Sequence, residues 1–272
     1  MRHKIRTRPR LFKAGEAIAF SGRSIDWNSE DFVVVRFSLD RWLHGRVLEI
    51  LLRDYFEDMS PDSGVFITPF VQRRELVDDD GKPGDVDLIF IPYEGNELLL
   101  SRTLAIECKL IRASYERKAK SPNSLGGSQA DGLKRLGFPH IGLVHFIIAE
   151  RAPQHTWREV EVGRVVDDSG RVERVGKMQA DMMPAELMDR AHGRLKSVCN
   201  GRAIGCASVF YCFFDEIPNR VRGEVQRNVP VGTWLPEGDP CPFNADFDPK
   251  LLSKLAALFD NSPNRFFDSL RY

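Results

Sequence analysis

The apolar positions of this chain change period several times, and each change marks an element. In "SLDRWLHGRVLEILLRDYFEDM" the residues Leu39, Leu43, Val47, Ile50, Leu51 and Tyr55 recur every three or four positions, the spacing of one helix face. Ser38 or Asp40 stands where a side chain would cap its first turn. "GVFITPFV" at 64–71 reads as a strand, and Pro69, having no N–H to give a ladder, points to an edge position or a bulge. "VDLIFI" at 86–91 is a second strand, the turn residues of "PYEGNE" follow, and "LLLSRTLAIECKLI" is long enough for a third. A polar, basic loop then leads to "SQADGLKRLG", a short helix capped by Ser128, and to "HIGLVHFIIAE" at 140–150, an apolar run of the kind covered on both faces. The order is helix, three strands, helix, strand.

The signals weaken at both ends. Residues 1–30 open with Arg2, Lys4, Arg6, Arg8 and Arg10 and show no sustained period, as in a solvated terminus or a phosphate-seeking arm. Beyond Glu150 the pattern predicts a hairpin in "REVEVGRVVDDSGRVERV", a helix near "PAELMDRAHGRLKSV", a strand "CASVFYCFF" that extends the core sheet, and a helix "PKLLSKLAALF". Three segments of one chain result: an N-terminal segment at 1–38, a core at 39–150, and a C-terminal extension of the same domain at 151–272, expected to shape a substrate channel or a dimer contact.

One strand departs from its own pattern. "LAIECKL" is apolar apart from Glu107 and Lys109, which alternation places together on the face of Ala105, with Leu104, Ile106, Cys108 and Leu110 on the other. Their Cα atoms would be about 7 Å apart, so both tips converge on a common ligand. If "VDLIFI" and "TLAIECKL" pair as an antiparallel hairpin, the midpoint between Asp87 and Glu107 is Glu97, beside the turn residues Gly95 and Asn96. Asp87 and Glu107 become cross-strand neighbours, about 5 Å apart at Cβ, and repel unless something positive lies between them. Mg²⁺, with one or two carboxylates completed by phosphate and water, resolves that conflict, and Mn²⁺ would substitute. Lys109 fits as the group that orients the water or neutralises charge on a phosphate. The tripeptide alone is weak, since the same spacing recurs at Asp80–Lys82, Glu116–Lys118 and Asp248–Lys250, all in polar or Pro/Gly-containing segments.

With these residues in this order, the sequence resembles the PD-(D/E)XK nuclease superfamily. The resemblance covers roughly 40–150 and rests on Asp87 in "GDVDLIF" and Glu107-Cys108-Lys109 in "LAIECKL"; Val86 stands where the name-giving motif has proline. It implies a restriction-endonuclease-like αβββαβ core, a central mixed sheet flanked by helices. It also implies a metal-dependent deoxyribonuclease that leaves 5′-phosphate and 3′-hydroxyl ends, with Asp87 and Glu107 holding Mg²⁺ and the backbone carbonyl of Cys108 as a further ligand. Many members carry an acidic residue on the first core helix, for which Glu49 in "RVLEILL" is the best match, although Arg46 and Arg53 would also make it part of an ion-pair stripe. Several place a Gln at the start of the second core helix, here Gln129, beside Gly126, Gly127 and Ser128, whose N–H groups suit an anion and whose residue types equally suit a plain loop and cap. Asp85, on the face of Asp87, would share or replace its role.

Composition narrows the setting. Lys and Arg total 39, Asp and Glu 39, so no general coat of positive charge draws the chain to nucleic acid and local patches must do so. Arg112, Arg117, Lys118 and Lys120, with Lys134 and Arg135 on the helix that follows, form the expected phosphate-contacting rim, unless they are ordinary surface charge. The five cysteines make no zinc spacing and look like reduced thiols, no run approaches a membrane span, and the start lacks a secretory h-region, so a cytoplasmic protein with no membrane partner is expected. The acidic run "DDDG" fails the calcium-loop spacing, and His44, His140 and His145 sit in apolar contexts that give them no role. Two rival readings stay open beside DNA cleavage: a nuclease-like module that binds nucleic acid or protein without cutting, and an RNA-cleaving member of the same fold. A third is a small-molecule-binding α/β protein in which the pattern is coincidental, and a homodimer remains compatible with all of them.

Overall fold

The computed structural model of the chain describes residues 1–9, 29–78, 84–116, 125–149, 152–218, 225–232 and 236–270. The protein is mixed α/β, a large mixed sheet flanked by helices. Three strands form its centre: β2 (Ser63–Gln72), β3 (Asp85–Glu94) and β5 (Leu104–Ala113), each antiparallel to the next. Helix α5 (Gly127–Leu136) then crosses over to β6 (His140–Ala149), which lies parallel to β5, with Leu104 beside His140 and Lys109 beside His145. Helices α1 (Glu30–Leu39), α2 (Arg41–Leu51) and α3 (Arg53–Glu57) precede β2. The long helix expected over 38–59 therefore arrives in pieces. Asp40 caps α2, its side chain accepting from the Leu43 N–H at 3.0 Å, and Leu52 leaves helical geometry before α3.

The sheet separates two apolar layers. Val33, Val34 and Phe37 of α1 and Leu43, Val47 and Leu51 of α2 pack on Leu88, Phe90, Leu104, Ile106 and Cys108. The opposite faces of the same strands, through Ile89, Ile91, Ala105 and Leu143, meet Ala130 and Leu133 of α5, Leu195 of α6 (Met183–Cys199) and Leu251 to Phe259 of α7 (Pro249–Asn261). Fully burying a side chain of this size contributes roughly 1.5–3 kcal/mol, so the two layers fix which face of each strand is which.

The remaining strands join this frame. β9 (Gly205–Pro218) runs parallel to β6 and extends the sheet as its apolar run foretold; β10 (Val225–Gly232) and β11 (Glu237–Asp239) pair with β9. β12 (Phe267–Leu270) pairs with Gly64–Ile67 of β2 and ends there, so Pro69 lies past that ladder and its missing N–H costs nothing. β7 (Arg158–Val165) and β8 (Val172–Ala180) form the expected hairpin as a separate ribbon, with Lys177 paired to Glu159 and Arg174 to Glu161. The opening of the chain is more ordered than its sequence suggests. Strand β1 (Arg2–Lys4) pairs with β4 (Glu97–Leu99), and Arg2 meets Glu94 and Glu97. Arg8 lies 4.6 Å from the Tyr93 ring centroid while its Nε reaches the buried Asp268 at 3.0 Å. Among the described residues no helix is long and apolar enough to cross a membrane.

His44 is buried in the α2 layer, donating through Nδ1 to the Phe37 carbonyl at 3.1 Å and accepting at Nε2 from the Ser269 hydroxyl at 2.7 Å. Burial lowers its pKa to about 4. The unfolded chain thus binds a proton near pH 6.5 that the native chain refuses, so this contribution is present above pH 6.5 and is lost as pH falls towards 4, by about 3 kcal/mol. Denaturant titrations of wild type and His44→Asn should show a smaller loss of stability between pH 7 and pH 4.5 in the variant. Equal losses would mean that His44 does not titrate in this way.

Candidate functional site

Two local geometries decide whether Asp87 and Glu107 meet. Next to the Gly95–Asn96 turn the strands β3 and β4 pair with Tyr93 opposite Leu98 and Glu94 opposite Glu97. Continued unchanged, that register would set Asp87 against Leu104 and send Glu107 to the other face of the sheet. Instead Leu100–Arg102, three residues, coil into a single 3₁₀ turn, and β5 re-enters with Leu88 opposite Ile106 and Phe90 opposite Leu104. One step beyond the last bonded pair, Asp87 faces Glu107. The single continuous strand read from "LLLSRTLAIECKLI" is thus two strands with an odd insertion between them, and the insertion flips the face. Asp87 and Glu107 are therefore opposed because of the 3₁₀ turn and not because of the hairpin's own register.

Past Leu88 the strands part. The Asp87 carboxylate takes the place of a ladder partner, its Oδ2 accepting from the Cys108 N–H at 2.7 Å. Cys108 itself is buried in the α1–α2 layer, as alternation required, and burial pushes its thiol pKa far up. Lys109 reaches back along the strand, with its Nζ 2.8 Å from Glu107 Oε1. The same Nζ donates to Glu30 Oε1 at 2.9 Å, and Glu30 Oε2 accepts from the Leu110 N–H at 3.1 Å. Glu30 opens α1, whose cap is Ser29, accepting from the Phe32 N–H at 3.0 Å. The acidic residue contributed by the first helical layer is therefore Glu30. Glu49 is exposed on α2, paired to Arg46 at 2.9 Å, and lines a different cleft with His44 and Arg53, so it takes no part in this site. Sequence reading passed over Glu30 because "EDFVVVRFSL" is apolar nearly all round and shows no helical stripe; only Ser29 before Glu30 hints at a helix start.

The site opens into a cleft of about 760 Å³. Asp85, Asp87, Glu107 and Lys109 line it from the strands, Glu30 and Asp31 from α1, Ser128, Gln129 and Arg135 from α5, Phe70 from the end of β2 and Arg73 from the short helix α4 (Arg73–Leu76). Gln129 thus stands where expected, in the first turn of α5. Of the expected basic rim, only Arg135 lines the cleft among the described residues. Arg112, three residues past Lys109, falls on the opposite face of β5, and Lys134 donates to the Arg202 carbonyl at 3.3 Å; neither lines the cleft. Arg117, Lys118 and Lys120 lie outside the described residues. Gly126 has a packing reason to be glycine: it sits at φ +81°, and a Cβ there would come 2.9 Å from Lys109 Cγ and Leu143 Cδ1.

Burial disfavours the charged form of both carboxylates. Asp87 is pushed up to about 7 by burial first and by Glu107 second, with the Cys108 N–H and Lys109 pulling the other way. Glu107 is raised by burial, against the pull of Lys109. For Lys109, burial works against the ammonium, but Glu107 and Glu30 outweigh it and hold the pKa above its ordinary value. Two hard oxygen donors that repel each other, beside a cation already shared between two acids, are a donor set that a divalent ion fits. Among the described residues no group of three or more His, Cys, Asp or Glu side chains is assembled for a metal, and Mg²⁺ needs only one or two carboxylates when phosphate and water complete its shell.

No protein-family model matches this chain, and no curated protein or solved structure is significantly similar to it.

Because the native state raises the Asp87 pKa, this group destabilises the fold increasingly as pH rises from about 4 to about 7. Asp87→Asn keeps an acceptor for the Cys108 N–H and removes the charge. Its melting temperature in EDTA should exceed that of wild type, by about 2–4 °C per kcal/mol relieved, and by more at pH 8 than at pH 5. A lower melting temperature at both values would mean that the carboxylate is structural.

Proposed function

We propose that this protein is a metal-dependent nuclease that hydrolyses phosphodiester bonds in DNA on a restriction-endonuclease-like αβββαβ core. The observation that carries the reading is the opposition of Asp87 and Glu107 on one sheet face, with Lys109 2.8 Å from Glu107, at the floor of an open cleft. The order of helices and strands up to β6, with three antiparallel strands followed by a helical crossover to a parallel fourth, supports the same reading. Burying like charges side by side is costly, and a purely binding module has no use for the expense.

In this proposal Asp87, Glu107 and the Cys108 carbonyl hold Mg²⁺, or Mn²⁺ in its place. When bound, the ion polarises a phosphoryl oxygen and lowers the pKa of its water. The chain's own groups do the rest. Lys109, fixed between Glu107 and Glu30, presents an ammonium beside the carboxylates, where it orients the attacking water and offsets charge that builds on the phosphate. Glu30 keeps that ammonium in place and also ties the Leu110 N–H, so α1 and β5 hold the site together. Gln129 and Ser128 form the wall where the first turn of α5 offers N–H groups to a phosphate oxygen. Six carboxylates and three basic side chains line the cleft, so a polyanion enters only with cations, and Arg73 and Arg135 are the basic groups placed for flanking phosphates.

Plasmid, linear DNA and RNA incubated with Mg²⁺, Mn²⁺ or EDTA test this directly. DNA should be cut only with metal, with Glu107→Ala and Lys109→Ala each slowing the reaction at least about 100-fold. Cleavage that survives either substitution unchanged sinks the assignment, and binding of nucleic acid without any cutting favours the non-catalytic module. Arg135→Gln should lower the slope of log affinity against log salt by about one phosphate contact at unchanged fold stability, measured by fluorescence anisotropy.

A further inference from the structure

Phe70 has a backbone that bulky side chains avoid. Its φ is +53°, shared among the described non-glycine residues only with Ala203. For an aromatic residue this is a strained conformation, and strain of this kind persists where the surroundings impose it, often at sites of function. The strain sits at a telling position. In the β2–β3 ladder Pro69 pairs with Leu88 and Val71 with Val86, and the place between them, Phe70 opposite Asp87, is skipped.

The consequence is a change of face. Along β2, Val65 and Ile67 belong to the α1–α2 layer and Phe66 to the other, so regular alternation would put Phe70 with Phe66, on the side that carries Asp87 and Glu107. Instead Phe70 packs against the α1–α2 layer and Val71 joins the layer of Phe66. The left-handed turn thus withdraws the ring from Asp87, leaving it half-buried and lining the cleft. Were Phe70 only filling the core, the ordinary strand conformation would bury it without strain.

We propose that Phe70 is the stacking wall of this cleft, receiving the face of the nucleobase that adjoins the scissile phosphate. The proposal rests on the nuclease reading and deepens it. An aromatic wall beside a metal-phosphate site selects an unstacked base, because a base within duplex has its faces covered by its neighbours. The preferred substrate is therefore a single-stranded or splayed segment of nucleic acid. Phe70 is a residue of specificity and not of the chemical step.

The test compares two fluorescent single-stranded oligomers of equal length, one bearing bases and one built of abasic tetrahydrofuran units, bound with Ca²⁺ in place of Mg²⁺ and followed by anisotropy. Phe70→Leu should weaken binding of the base-bearing oligomer about 5- to 100-fold and leave the abasic oligomer unchanged, while Phe70→Tyr binds both like wild type. Phe70→Gly, which accepts the positive φ, keeps the fold intact by its melting curve and reports loss of the ring alone. The proposal is overturned if Phe70→Leu binds the base-bearing oligomer as tightly as wild type, or loses affinity equally for both. Wild type that prefers neither oligomer yet cuts DNA with Mg²⁺ overturns the stacking wall alone; wild type that neither binds nor cuts overturns the nuclease reading with it.

Discussion

Two carboxylates held on neighbouring strands, partly out of water, set the terms for the whole centre of this protein. Neither burial nor proximity favours Asp87 and Glu107 in their charged forms, and each neighbouring element compensates in its own way. The Cys108 N–H turns to Asp87. Lys109 turns to Glu107, and α1 begins with a glutamate that shares the same ammonium. Lys109 thereby ties the two sides of the sheet together, since Glu30 belongs to the helices of one layer and Glu107 to the strand face of the other. Its stem has room only because Gly126 lacks a Cβ.

The arrangement is unbalanced towards negative charge, and that imbalance is chemically informative. A protein that bound phosphates by basic side chains alone would line its cleft with arginine and lysine. Here the cations are Arg73, Lys109 and Arg135 against six acids, and one of the three is already committed to two carboxylates. Affinity for a polyanion would then depend on ions from solution, which couples substrate binding to metal supply.

Much of this was legible in the chain because it depends on alternation. The faces of Glu107, Cys108 and Lys109 follow from a period of two, and the helix–strand order follows from apolar runs and turn residues. The failures have specific physical causes. Glu49 sat on the most helical stretch of sequence, while Glu30 opened a helix whose apolar residues cover all sides and carry no stripe. Closeness to Lys109 in sequence does not bring a basic residue to the cleft: Arg112 lies on the other face of its strand and Lys134 points to a carbonyl on a neighbouring loop, while Arg135, further along α5, lines it. Phe70 could not be read at all, although Pro69 beside it marked the strand as irregular. The dihedral that turns its ring away from Asp87 is a product of tertiary packing.

The 3₁₀ turn at Leu100–Arg102 has an implication for how this protein can vary. The turn lies some distance along the chain from the acidic residues, and its Ser101 and Arg102 are not part of the buried core. Substitution at these two positions should be well tolerated. Its length is another matter: a β5 that stayed tied to the turn after loss or gain of a single residue would put Leu104, Ile106 and Cys108 on the polar face, so the two apolar layers oppose that slip and the turn itself has to absorb the change. The composition of that turn is therefore weakly constrained, while its length is constrained by the need to return β5 to the face that its buried residues require.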